Sequence, residues 1–354
     1  MFIAATTMKK YYFLFIYSLP LVVYISLVST GWKTLLPVLI YFGLVPLIEL
    51  FFQPDPSNID KSLESKMKED TFYDWIILLI IPLHLFLLIK FLFVIDTTVV
   101  GSIEFYGRMS SIGIMLGVSG INLGHELGHR NNKGLQYLGE LLLLTSLNTH
   151  FLPYHNAGHH LNVATPKDAA TARKNELLFL FWFRSHFGSY IEAWKLENKR
   201  MRMRNKFIFS LENRMVVYTI LNVLLVSTIF FLFGVKVLLS FLIAAIIGIV
   251  LLETVNYIEH YGLLRKKNEN GRYEKVKHYH SWNSDHIIGR SMMFNLSRHA
   301  DHHYNGSKKY QLLKSIESSP QMPTGYPGMM LIALLQPLWF FVMNKKLKKL
   351  NNEN

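Results

Sequence analysis

Histidine is the residue through which this chain could carry out chemistry. Of its fifteen histidines, eight fall in three tight groups: His125 and His129; His155, His159 and His160; His299, His302 and His303. A ninth, His260, ends a long apolar run. Residues three or four apart lie on one face of a helix, so each group can offer two imidazoles to one metal, and a doubled histidine can turn its second ring toward a neighbouring ion. Nine imidazoles suit two metals better than one. Imidazole binds zinc, copper, iron and nickel alike, so ligand type alone does not choose the metal. The chain has no cysteine, which excludes a disulfide, a thiolate-bound zinc and an internal iron-sulfur centre.

Two smaller readings compete with the full set. His125-Glu-Leu-Gly-His129 taken alone is an HExxH sequence, the signature of a zinc-dependent membrane peptidase with Glu126 as base. Zinc needs only three or four ligands, however, and the other histidines would have no role. A metal transporter would spread its ligands through the membrane, whereas here they gather at one side. His150, His280 and His286 lie near the groups but fit the ligand spacing less well. Among the polar residues near the histidines, Glu126, Asp168, Glu253, Asn256 and Asp301 are candidates to accept imidazole N–H bonds or approach the metals; Glu176, Glu259 and Asp285 are also close. Glu253 and Asn256 precede His260 by seven and four positions, on the same helical face.

The elements that must position these residues are membrane helices. Hydrophobic residues make up 51% of the chain, in runs long enough to cross a lipid core of about 30 Å. The sequence predicts an all-α integral-membrane fold with six transmembrane helices at about 11–29, 35–52, 75–95, 103–123, 215–233 and 237–256. The first is read as a retained span, because no small-residue cleavage pattern follows Ser29. Lysines and arginines concentrate before span one, between spans two and three, and after spans four and six, which places both termini in the cytoplasm. Residues 124–213 and 257–343 then form a histidine-rich cytoplasmic cap, the whole chain being one domain. If spans four and six continue as helices past their apolar cores, His260 is lifted about 12 Å beyond the hydrocarbon edge. Within the spans, Glu49, His84 and Lys90 are ionisable groups in a costly environment.

The net charge of +13 lies beside membrane segments and no nucleic-acid module is visible, so anionic lipid and an acidic protein are the expected counterparts rather than nucleic acid. Lys195, Lys199, Arg200, Arg202, Arg204, Lys266 and Lys267 are candidates for docking such a protein.

The order HxxxH, HxxxHH, HxxHH is similar to the three histidine boxes of the membrane fatty acid desaturase and hydroxylase superfamily. Longer stretches are more specific: His125-Glu-Leu-Gly-His-Arg130; His155-Asn-Ala-Gly-His-His160 with Val163-Ala-Thr-Pro-Lys-Asp168; Asn256-Tyr-Ile-Glu-His-Tyr-Gly-Leu-Leu264; and Arg298-His-Ala-Asp-His-His303 with Gly325-Tyr-Pro-Gly328. Together they resemble the membrane alkane 1-monooxygenases, in patches from about residue 35 to 343.

The resemblance implies a desaturase-like fold and a non-haem di-iron centre bound by His125, His129, His155, His159, His160, His260, His299, His302 and His303. It further implies O2 as co-substrate, and rubredoxin with its reductase as electron donor. The expected reaction is terminal hydroxylation of an alkane or similar alkyl chain to a primary alcohol, by a multi-pass protein of the inner (plasma) membrane. Desaturation, or hydroxylation of a fatty acid or other methyl group on the same scaffold, is the nearest alternative. One departure stands out: where the family pattern leads one to expect a glutamate before the second box, this chain has Tyr154.

Overall fold

The computed structural model describes residues 9–353. Among them regular structure is helical, with only two isolated bridges, Lys267 to Tyr273 and Asn283 to Gln321, and no strand. The long elements are α1 (Tyr11–Val28), α2 (Gly31–Phe51), α3 (Phe72–Thr97), α4 (103–128), α5 (Lys133–Thr145), α6 (151–162), α7 (Leu178–Met203) and α8 (Arg214–His260). After α8 come α9 (Ile287–Met292), α10 (His299–Tyr304), α11 (Tyr326–Leu334) and α12 (Gln336–Glu353).

Four of these, α1, α2, α3 and α8, are long and apolar enough to cross a membrane. Only 33% to 50% of their most apolar stretches are buried inside the protein. Side chains such as Phe51, Phe93, Phe231 and Leu232 therefore face outward, an arrangement that water would not tolerate but hydrocarbon would. The helices fit a multi-pass membrane protein.

The expected span at 103–123 is helical but falls outside that set. Glu104 and Arg108 sit in its first turns, and Gly107, Gly113, Gly117 and Gly120 replace bulk along its length. The glycines have a packing reason: a Cβ on Gly113 would meet Ile247 at 2.5 Å and the Ala244 carbonyl at 3.1 Å, so α4 lies almost backbone to backbone against α8. The helix does not stop at its apolar end. Through a π-helical turn at Leu116–Asn122 it runs on to Gly128 and carries His125 with it.

α8 combines the expected runs 215–233 and 237–256. Gly234 breaks it, with φ 79° and ψ −178°, a backbone that favours glycine. A straight 47-residue helix would be about 70 Å long. Yet Met215 and Tyr218 at one end pack with Tyr154, and His260 at the other lies 5.0 Å from the His159 ring. Meanwhile Phe233 meets Phe93 and Lys236 donates to the Asp96 carbonyl, at the far end of α3. The chain thus folds back at Gly234.

Polar ties lock the apolar bundle. His84 of α3 contacts Ser119 Oγ at 2.8 Å through one ring nitrogen and Thr145 Oγ1 at 2.9 Å through the other, joining three helices; its role in the fold is this bridge. Glu49 accepts from the Gly289 amide at 2.8 Å, fixing α9 to α2. Lys90 lies over the Tyr24 ring. α5 packs closely on α4, Gly139 against Gly124 and Leu127. The 329–343 segment is split at Leu335, just before Pro337, into α11 and α12.

The α4–α5 contact allows a direct test. A Cβ on Gly139 would lie 2.8 Å from the Gly124 carbonyl and 3.1 Å from Leu127 Cβ, whereas nothing lies within 4 Å of one on Gly43. Gly139→Val should destabilise the protein by about 1–3 kcal/mol and lower its thermal midpoint in detergent, while Gly43→Ala should leave the midpoint within error. Equal midpoints for the two variants would contradict this packing.

Candidate metal centre

Four elements bring the rings together. α4 delivers His125 and His129, α6 delivers His155, His159 and His160, and α10 delivers His299, His302 and His303, while His260 arrives at the end of α8. All nine lie together, in two groups able to hold a metal ion: His125, His129, His155, His160 and His302 in one, and His159, His260, His299 and His303 in the other. Within each group the facing nitrogens lie within 4.8 Å of one another.

The spacing between neighbouring Nε2 atoms is uniform. In the five-ring group it is 2.9 Å for His125–His129, 3.2 Å for His125–His302, 3.2 Å for His129–His155 and 3.0 Å for His155–His160. In the four-ring group it is 3.2 Å for His159–His303, 3.1 Å for His260–His299 and 2.8 Å for His299–His303. Ligands at right angles around an ion with bonds of about 2.1 Å sit about 3.0 Å apart. The donor set has the dimensions of two coordination spheres.

The partition corrects the simple expectation that each box pairs its first two histidines. In α10, His299 and His303 share a group, and His302 turns to the other. In α6 it is His155 and His160, five apart, that share a group. The reason is local: His155–His159 is a π-helical turn, and its i to i+5 register aligns residues five apart. His159 is thereby released toward the second group.

Burial holds the His155, His299, His302 and His303 rings well below the ordinary imidazole value, and the neighbouring imidazoles push the same way. Neutral rings with free lone pairs are the form a metal requires. Crowding nine rings together would leave most of those lone pairs facing one another unsatisfied.

Of the polar residues expected to support the rings, Asp168 does so directly: its Oδ2 accepts from His159 Nδ1 at 3.0 Å and from Thr171 Oγ1 at 2.6 Å. Burial raises the Asp168 carboxyl, but the His159 ring and these hydrogen bonds outweigh it and hold the group well below the usual carboxylate range. Tyr154 resolves the departure in the second box. Its hydroxyl donates to Asp168 Oδ1 and accepts from the Ala170 amide at 2.9 Å, so the residue in the glutamate's place braces the acid that orients His159.

Other acids have different partners. Glu126 pairs with Arg130 at 2.8 Å rather than with a ring. Glu253 accepts from the Asn256 amide at 3.1 Å and faces His186 at 4.0 Å. Asp301 accepts from Lys308 at 2.6 Å and from the Lys314 amide at 2.8 Å, tying down the 305–314 loop. His150 contacts Ser189, His280 lies beside Glu274, and His286 contacts Ser284, so none joins either group.

Glu259 approaches one of the converging Nε2 atoms. Its Oε2 lies 3.2 Å from His299 Nε2, and its Oε1 accepts from Tyr326 Oη at 2.8 Å. Its position next to His260 in sequence was a usable cue, although helical spacing alone points it away from its neighbour.

Beside both groups lies a partly open cavity, reached by His125, His155 and His299 and otherwise walled mainly by apolar side chains of α2, α4, α8 and α9. Asn122, Asn256, Glu259 and the tyrosines Tyr41 and Tyr326 supply its few polar atoms.

A helical membrane protein with paired histidine clusters and an apolar cavity against them has the form of the desaturase class, and the fatty acid desaturase family model matches residues 102–333. Closer relatives narrow this. The chain is 39% identical over 314 residues to alkane 1-monooxygenase 1 of Alcanivorax borkumensis, covering 88% of this chain and 77% of that protein. It is 37% identical over 314 residues to alkane 1-monooxygenase of Ectopseudomonas oleovorans, covering 88% and 78%. It is also 27% identical over 239 residues to the xylene/toluene monooxygenase hydroxylase component of Pseudomonas putida, covering 68% and 63%. The chain belongs to the alkane 1-monooxygenase family, and it is an oxidoreductase.

Removing the acid behind His159 while keeping its shape isolates its contribution. Asp168→Asn should weaken divalent-metal binding at the four-ring group by about 10- to 100-fold, measured by competition with a chelator. An unchanged affinity would show that Asp168 does not orient His159 for a metal.

Proposed function

We propose that this chain uses O2 to hydroxylate the terminal methyl of an alkane or similar alkyl chain, giving a primary alcohol, at two non-haem irons held by the nine histidines. The observation that carries this reading is the apolar cavity opening onto His125, His155 and His299. A substrate of methylenes offers no polar handle, so a site that selects it must be shaped and dry, with the reacting groups at its end. The names of the relatives point to the same substrates, alkanes and aromatic methyl compounds.

The irons would supply the activation of O2: with two electrons and two protons, one oxygen atom enters the C–H bond and the other leaves as water. The protein's part is positional. Side chains such as Ile114, Val118, Leu251 and Met292 hold the alkyl chain and exclude water. Asp168 keeps His159 in the tautomer that presents Nε2 to its ion. Glu126, paired with Arg130, does not face the five-ring group as a peptidase base would. That group's five imidazoles also exceed what catalytic zinc takes, which disfavours the zinc peptidase.

Around this site the proposed topology has six spans, with α4 as the fourth and the two arms of α8 as the fifth and sixth. Both termini and the cap, 124–213 and 257–343, lie on the cytoplasmic side of the inner membrane. The reversal at Gly234 and the lysine and arginine asymmetry support it. The chain has no cysteine and no nucleotide-binding glycine loop, so electrons come from a separate protein, and the family resemblance makes rubredoxin that donor. Lys195, Lys199, Arg202, Arg204, Lys266 and Lys267 are exposed on the cap and suit an acidic carrier.

Two experiments test the reading. Purified protein given iron, rubredoxin, its reductase, NADH and an alkane under labelled O2 should yield a primary alcohol carrying one labelled atom; an unsaturated product without label would indicate desaturation instead. Reporters fused after residue 354 and inserted near Lys236 should report opposite sides of the membrane. The same side for both would break the six-span topology.

A further inference from the structure

Next to the cavity that His125, His155 and His299 reach lies a second apolar space. It is an open groove on the outer face of the protein, walled by Gly43, Pro46, Leu47 and Leu50 of α2 and by Leu331 and Ile332 of α11. Leu47 and Leu50 are exposed on a helix long and apolar enough to cross a membrane, so the groove faces hydrocarbon rather than water. One residue, Phe42, lines both spaces. We propose that the alkyl substrate enters from the bilayer through the seam between α2 and α11, and that the Phe42 ring is the gate it passes. The proposal rests on the function proposed above.

The partition at this seam is one side chain thick. Tyr41 and Met330 face the cavity, while Gly43 and Leu331 line the groove. Phe42 is half-buried and packs against both of the larger hydrophobic clusters of the interior, so its ring fills the joint between them. The backbone that carries the ring is also loosened. Pro46 has no N–H to donate to the Phe42 carbonyl one turn earlier, and α2 relaxes there into a π-helical turn at Ile40–Leu44. Nothing lies within 4 Å of where a Cβ on Gly43 would stand, so the turn has room on its outer side to move with the ring.

The consequence is a route that avoids water. An alkane passing Phe42 stays among mainly apolar side chains from the lipid to the metal-binding rings, and it is spared the transfer into water that every methylene makes more costly. Gate and site are also separable, because a side chain added at Gly43 obstructs the groove without entering the cavity.

Full-length protein in lipid nanodiscs would be mixed with an alkane bearing a photoreactive diazirine, irradiated after increasing delays, and its labelled residues located by mass spectrometry. In wild type, label should reach the cavity residues Leu251 and Met292 as well as the groove residues Leu47 and Leu331. Gly43→Trp should slow cavity labelling at least about tenfold, and Phe42→Ala should speed it. Leu44→Trp, on the exposed side of the same helix but outside the groove, should leave the rate unchanged. After long delays all three variants should reach the wild-type level, since the cavity itself is intact. Cavity labelling at the wild-type rate in both Gly43→Trp and Phe42→Ala would overturn the proposal, and so would equal slowing in Leu44→Trp. Absence of cavity label from wild type at every delay would instead refute the alkyl cavity, and with it the reading on which the proposal rests.

Discussion

Nine imidazole rings meet in a buried space with their Nε2 atoms about 3 Å apart, and this crowding is the constraint on which the rest of the structure depends. Neutral imidazoles cannot all satisfy one another, since each close pair can share at most one hydrogen. Two cations, one in each group, would resolve the problem by accepting those lone pairs. Burial holds the His155, His299, His302 and His303 rings below the ordinary imidazole value, which leaves their lone pairs available to a metal.

The architecture serves that convergence. α4 and α8 extend beyond their apolar stretches to carry His125, His129 and His260 to one level, and glycines on α4 let the two helices touch closely enough for those histidines to meet. The π-helical turns at Leu116–Asn122 and His155–His159 change the phase of their helices just where a ring must be re-aimed. Asp168, held by Tyr154 and Thr171, fixes one ring from behind. On the other side His125, His155 and His299 reach the apolar cavity, so the metal-binding face opens on a space lined mainly by hydrocarbon side chains.

Much of this was legible in the sequence, because histidine spacing and apolar run length are local properties. The nine rings and the helices that carry them could be named from the chain alone. The split between groups could not, because it depends on a π register in which His155 pairs with His160, and helical spacing predicts His155 with His159. Nearby acids were also poorly sorted. Glu126, Glu253 and Asp301 sit at suggestive positions but answer to Arg130, Asn256 and Lys308, partners only three to seven residues along the chain that compete with the rings for them. Glu259 shows the converse, adjacent to a candidate ligand yet aimed at a different ring, His299, from another helix. The helix expected at 103–123 is less apolar than its neighbours, with glycine where it packs closely against α8.

The central claim is that the rings form two separate ion sites, and the neighbouring residues His302 and His303 give it the most direct test, since they fall in different groups. The measurement is quantitative iron content with Mössbauer spectra of the enriched protein as wild type, His302→Ala and His303→Ala. The account predicts two irons in wild type with distinguishable signals, the five-ring signal depleted in His302→Ala and the four-ring signal in His303→Ala. A single iron signal lost in the same way in both variants would contradict it.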